Sequence, residues 1–168
     1  LASPTFGETF LVSGLGLIGL LTTQLLIAQG CKVLGVDPDE ERCALARSYG
    51  VDVLNISKDT DQVSWCLSKT GNMGVDGAII TAASDSSNPI NLSAKSCRKR
   101  GRVILVGSTP IKLKRDVFYE KEITFQVSCS YGPGRYDKSY EVSSNDYPIG
   151  YVRWTEQRNF QAILYSLE

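Results

Sequence analysis

Apolar positions along the chain fall into short continuous runs separated by stretches of helical period. Residues 10–13 form a β-prone run that breaks into Gly14-Leu-Gly-Leu-Ile-Gly19, after which residues 20–29 read as a buried helix ended by Gly30. Residues 32–37 are a second strand, stopped by Pro38. Residues 40–49 are an amphipathic helix with Gly50 at its C′ position. The alternation continues with a short strand at 53–56, a helix at 61–70, a buried strand at 77–81, a helix at 89–100, the clearest strand of the chain at 102–107, and a sixth strand at 123–128. Strands that lack polar alternation and are separated by helices imply a parallel sheet covered on both faces. The expected class is therefore α/β, a doubly wound parallel sheet of about six strands with helices on both faces.

Beyond residue 130 the pattern changes. Residues 131–152 are rich in Gly, Pro, Ser, Tyr and Asp without either period, a loop of about twenty residues that is long enough to imply a docking or lid role. Residues 154–167 return to a helical pattern with Phe160, Ile163, Leu164 and Leu167 on one face. At this length the whole chain is expected to form one domain.

The first strand, glycine turn and helix carry the clearest chemistry. A G-x-G-x-x-G pattern alone is weak, but here it follows a strand, opens a helix, and precedes a strand-terminal acid, Asp37, 18 residues after Gly19. Gly14 permits the tight turn, Gly16 lets the backbone approach a pyrophosphate, and Gly19 allows helix and strand to pack closely. Free N–H groups at the helix start then attract phosphate charge. This is the arrangement of a Rossmann-type dinucleotide site. Asp37 is positioned to accept hydrogen bonds from the adenosine ribose and to repel a 2′-phosphate, which favours NAD over NADP. Arg42 tempers that preference, since its guanidinium can bind a 2′-phosphate, stack on adenine or pair with Asp39. Ligands of open α/β sheets sit beyond the carboxyl ends of the strands, so residues 81–84 and 107–109 are expected to line the same crevice.

Composition narrows the partners. Eighteen basic and 18 acidic side chains balance, and the basic cluster at 95–102 with Lys112, Lys114 and Arg115 reads as a solvated helix face and loop, so no nucleic-acid partner is expected. The apolar stretch at 15–28 is too short and polar to span a bilayer, and the first residues lack the features of a secretion signal; they read as a cut inside a longer chain. Five cysteines with no C-x-x-C spacing argue against a disulfide framework and make a cytoplasmic location the default. No histidine is present, which removes the commonest general base and metal ligand, so neither a catalytic nor a metal-binding residue is assigned within the chain.

Several blocks in order resemble the medium-chain dehydrogenase/reductase family, the zinc-type alcohol and polyol dehydrogenases. They are residues 7–19, Asp37-Pro-Asp-Glu-Glu-Arg42, Ala46-Arg-Ser-Tyr-Gly50, Gly74-Val-Asp-Gly-Ala-Ile-Ile80 and Gly101-Arg-Val-Ile-Leu-Val-Gly107. Residues 130–137 and 147–159 further resemble a subgroup of large two-part oxidoreductases of polysaccharide pathways, which implies a sugar or polyol derivative as substrate. The resemblance implies an NAD-binding domain of a dehydrogenase, with cofactor contacts at Gly14, Gly16, Leu17, Ile18, Gly19, Asp37, Arg42, Ala82, Gly107 and Ser108. It also implies that catalytic groups, and zinc where it is used, lie in a β-rich domain not represented in these residues, so the fragment alone should bind cofactor and catalyse little. An exposed edge strand in the C-terminal half is a candidate for pairing into a homodimer, as in relatives of the family.

Two other readings stay open on sequence. One is a non-enzymatic domain that senses the NAD/NADH ratio. The other is a zinc-independent reductase domain using NADPH on an enone or quinone, against which Asp37 counts.

Overall fold

The computed structural model describes residues 1–57 and 60–166, and the chain divides into two compact units, Leu1–Ser128 and Cys129–Glu168. The first unit is built on β1 (Thr9–Ser13), β2 (Lys32–Asp37), β3 (Asp52–Asn55), β4 (Val75–Ile80), β5 (Cys97–Leu105) and β6 (Thr124–Val127). These pair in the order β3-β2-β1-β4-β5-β6, every neighbour parallel. This is the six-stranded doubly wound sheet expected from the alternation of runs and periods.

Alternate residues along each central strand enter separate cores, which explains why the strands show no polar face. Leu11, Leu34, Val36, Ala78, Ile80 and Val103 pack on one side with Cys66 of α3 (Gln62–Lys69) and Ile90 and Ala94 of α4 (Asn88–Ser96). Phe10, Val12, Val33, Ile79 and Ile104 pack on the other with Leu26 of α1 (Leu17–Ala28) and Cys43 and Ala46 of α2 (Glu40–Ser48). Four of the five cysteines are buried and all are free thiols. Burial pushes Cys66 up to about 11 and Cys97 to about 12, so both stay protonated at neutral pH.

Three local readings change. Residues 89–100 were expected to form one helix, but α4 ends at Ser96 and β5 begins at Cys97. The cause is tertiary: Arg98 Nε donates to Asp76 Oδ1 at 2.7 Å, Arg100 takes a left-handed φ of 58°, and the register of β4 on β5 shifts between Val75 and Gly77. Lys95 therefore stays on the helix, while Arg98, Lys99, Arg100 and Arg102 lie on a strand rather than a helix face. Second, α5 (Arg115–Lys121) forms where only a basic loop was read; it has no fully buried residue and so no apolar stripe strong enough to announce it. Third, α1 is not buried all round. It meets the sheet through Gly19, Thr23 and Leu26, while Leu17, Ile18 and Leu25 remain well exposed.

In the second unit the aperiodic segment carries one helical turn, α6 (Lys138–Glu141), and is held to α7 (Glu156–Ser166) by polar contacts. Arg158 donates to the carbonyls of Val152 at 2.5 Å and Tyr147 at 2.8 Å and pairs with Asp146. Asn159 Nδ2 donates to the Tyr131 carbonyl, and the Tyr140 and Tyr147 rings lie 5.4 Å apart. The apolar face predicted for this helix is largely uncovered: Phe160 and Leu164 are exposed, and Leu167 lies outside the described residues.

Candidate nucleotide-binding site

The ends of β1, β4 and β5 meet in a row of backbone too close for side chains. A Cβ on Gly14 would stand 2.6 Å from the Ala82 nitrogen, and one on Gly107 would stand 2.1 Å from the Ala82 carbonyl oxygen. The row is hydrogen-bonded across: the Ser13 carbonyl accepts from the N–H groups of Thr81 and Ala82 at 2.9 and 3.0 Å, and the Ile80 carbonyl accepts from Val106 and Gly107 at 2.9 and 2.8 Å. Ser108, exposed at the end of this row, accepts at its carbonyl from Ser84 N–H at 2.9 Å. Three segments far apart in sequence thus make one floor at the carboxyl edge of the sheet. Gly14, Ala82, Gly107 and Ser108 belong to it.

At one side of the floor the chain turns into α1. Gly14 has φ +98°, a region that L side chains rarely adopt. Gly19 packs so tightly that a Cβ would lie 2.0 Å from the Gly14 carbonyl oxygen. Gly16 differs from both. Its φ is −69°, and the nearest atom to a Cβ there is Arg42 Nη1 at 3.9 Å. Gly14 and Gly19 are required by the fold itself, whereas Gly16 keeps space open. Gly16 is also the N-cap of α1 and supplies no side-chain cap, and the first turn, Leu17-Ile18-Gly19, carries no acid, so no side chain of the helix's own first turn offsets its positive end, the kind of end that attracts anions. By contrast Asp39 and Asp61 cap α2 and α3 with their own carboxylates. Leu17 and Ile18, 74% and 51% exposed, present apolar surface beside the turn.

Asp37 ends β2 and is almost wholly buried. Its Oδ2 accepts from the Leu15 N–H at 2.6 Å and its Oδ1 from the Asp39 N–H at 2.8 Å. The carboxylate therefore fixes the glycine turn first, and only its remaining lone pairs are open to ribose hydroxyls. Arg42 resolves toward the acids: its guanidinium lies 4.0 Å from Asp37 and 3.8 Å from Asp39 while staying more than half exposed. Behind it, burial, with the Asp37 charge second, raises the Cys43 thiol above its ordinary range.

The sequence reading missed how the far side of this edge is held. Asn91, buried on α4, donates from Nδ2 to the Lys112 carbonyl at 2.9 Å and accepts at Oδ1 from the Lys114 N–H at 2.9 Å, pinning the segment that follows Gly107 and Ser108. A mid-helix Asn after Pro89 was the only available hint.

The cradle fits a dinucleotide: a floor of glycines and small residues, an uncapped helix start, and an acid at the end of the neighbouring strand. Zinc does not fit in the same way. Among the described residues no group of three or more Cys, Asp and Glu side chains is placed to hold a metal ion, and no helix is long and apolar enough to cross a membrane.

Comparison with known proteins agrees with this geometry. The sequence pattern of the family described as zinc-binding dehydrogenase matches residues 18–145. An alcohol dehydrogenase of Rhizobium meliloti is 28% identical over 164 residues, covering 96% of this chain and 47% of that protein. An alcohol dehydrogenase of Geobacillus stearothermophilus is 31% identical over 112 residues, 67% of this chain and 32% of that protein. The chain thus spans less than half the length of these relatives. Among solved structures, the 2R,3R-butanediol dehydrogenase of Bacillus subtilis superposes with a TM-score of 0.71 at 25% identity, covering 77% of this chain and 38% of the other. With its sheet order, glycine turn and matched sequence pattern taken together, the chain belongs to the zinc-binding dehydrogenase family and contains the Rossmann-like nucleotide-binding domain of an alcohol dehydrogenase-like oxidoreductase.

Proposed function

We propose that this chain binds NAD(H) along the carboxyl edge of its sheet and presents the nicotinamide for reversible hydride transfer to an alcohol, polyol or sugar-derived substrate. The observation that carries the reading is the open space at Gly16 beside a floor of Gly14, Ala82 and Gly107. Gly16, Leu17 and Ile18 receive the pyrophosphate at the start of α1, Asp37 and Arg42 meet the adenosine ribose, and Ala82, Gly107 and Ser108 line the path toward the nicotinamide. The bound cofactor supplies hydride chemistry; the chain's own contribution is to fix its position and face. Substrate binding and proton transfer, and zinc where it is used, belong to residues outside these 168.

Support for NAD over NADP comes from the negative charge of Asp37 at the end of β2, which would repel a 2′-phosphate, although the nearby Arg42 lowers the penalty. Support for a sugar or polyol substrate comes from the resemblance of residues 130–137 and 147–159 to the two-part oxidoreductases of polysaccharide pathways. Thr124, Gln126 and Val127 are exposed on β6 at one edge of the sheet, which favours pairing with a second copy.

Calorimetric titration with NAD, NADH and NADP tests the central reading. Saturable binding is expected, tighter for NAD(H) than for NADP, lost in Gly16→Val and with NADP discrimination reduced in Asp37→Asn. A folded chain that binds none of the three overturns it.

A further inference from the structure

The peptide unit between Gly14 and Leu15 is held at both ends by side chains from the two strands that flank β1. Its N–H donates to Asp37 Oδ2 at the end of β2, at 2.6 Å. Its carbonyl oxygen accepts from Thr81 Oγ1, just past the end of β4, also at 2.6 Å. The Thr81 hydroxyl lies 3.3 Å from the Ser13 carbonyl as well, but its single proton goes to the nearer acceptor, Gly14. The same hydroxyl is 3.0 Å from where a Gly19 Cβ would stand, so it fills the angle between the turn and the first turn of α1.

We infer that Thr81 is a positioning residue for the phosphate site, acting by preventing rotation of the Gly14–Leu15 peptide. The inference rests on the dinucleotide reading above. A glycine at φ +98° has no Cβ to resist such a rotation, so the plane of this peptide is decided by what its two polar groups bond to. Rotation would swing the Gly14 carbonyl oxygen from the helix side toward the crevice. There its negative end would oppose the phosphates that the N–H groups of the next residues are aligned to receive. Asp37 restrains one end of the plane. Without Thr81 the other end has no side-chain donor among the bonds described for it, and the turn populates orientations that do not bind. Affinity falls by the fraction of chains that are competent.

The experiment compares the intact chain with Thr81→Val, which keeps the shape and removes the hydroxyl, and Thr81→Ser, which keeps the hydroxyl. Binding of NADH and of ADP is measured by calorimetry alongside the thermal midpoint. Thr81→Val is expected to weaken both ligands by about fivefold, the usual size of one net hydrogen bond. Thr81→Ser is expected to restore affinity to within about twofold, and the three midpoints to lie within about 4 °C of one another, so that the chain is fully folded in every titration. Equal affinity of the original chain and Thr81→Val overturns the role of Thr81 and leaves the dinucleotide reading standing. Loss of affinity that follows a lowered midpoint and is not rescued by Ser assigns Thr81 to folding alone and overturns it too. Failure of the original chain to bind either ligand defeats the dinucleotide reading, and this inference with it.

Discussion

The two ends of the same sheet are built on opposite principles. At the amino ends of the strands, charges are paired off. Arg102 donates to both oxygens of Glu8 at 2.9 and 2.6 Å, reaches the carbonyls of Ala2 and Ser3, and sits 4.8 Å over the Phe10 ring. Asp76 accepts from Thr9 N–H and Arg98, both at 2.7 Å. At the carboxyl ends there are almost no side chains: Gly14, Ala82 and Gly107 meet backbone to backbone, and a helix start is left uncapped. One end satisfies itself. The other keeps donors and space in reserve, which is where an open α/β sheet binds ligands.

Substitutions that break each end should therefore separate folding from binding. The largest effect is expected from Gly19→Ala, because the new Cβ would overlap the Gly14 carbonyl and only a shift of α1 relieves it. A loss of about 3 kcal/mol in unfolding free energy, read by denaturant titration, is expected together with loss of NADH binding. Arg102→Ala follows, removing a partly buried ion pair at the self-satisfied end, with about 2 kcal/mol lost and NADH affinity unchanged. An equal loss of affinity would show that the two ends are coupled.

The same pair gives a pH dependence of defined sign. Hydrogen bonding to Arg102 holds the Glu8 carboxyl below its ordinary 4.5 in the folded state. A depressed folded value means the contribution is fully present above the unfolded value and is lost as pH falls through the folded one. The stability gap between the original chain and Arg102→Ala should be constant above roughly pH 5 and close progressively below it. A gap that widens in acid would contradict this.

Gly16→Val sharpens the comparison from the other side. Nothing but Arg42 Nη1 approaches the new side chain and φ is ordinary, so stability should drop by only about 1 kcal/mol, the scale of an unfavourable N-cap. NADH affinity should fall at least about tenfold, or ~1.4 kcal/mol. The smallest effect is expected for Arg42→Ala, whose pairs with Asp37 and Asp39 are exposed on the arginine side: less than about 0.5 kcal/mol in stability, with the NAD-to-NADP affinity ratio raised.

Local sequence was sufficient wherever one signal acted alone. Apolar runs and helical periods announced all six strands and a sheet covered on both faces, and strand, glycine turn, helix and acid marked the candidate site before any contact was known. Gly14 and Gly19 are legible because each answers a backbone requirement that only glycine meets, and Gly16 because it completes their spacing. What remained hidden depends on neighbours distant along the chain. The early start of β5 was set by Asp76 gripping Arg98, not by the helix-prone residues around it. The short α5 has too little buried surface to leave a period in the sequence.

The division within the site is of the same kind. The sequence by itself determined the glycine turn at the start of a helix and the acid that ends the next strand, because both belong to one strand–turn–helix–strand unit continuous in the chain. Only the tertiary structure decided that Asp37 is bonded to Leu15 and Asp39, that Thr81 holds the opposite side of the same peptide, and that Asn91 pins the segment beyond Ser108. A hydrogen bond between strands has no periodicity in the chain that makes it. It exists only once the parallel register has brought the carboxyl ends of β1, β2 and β4 to one edge.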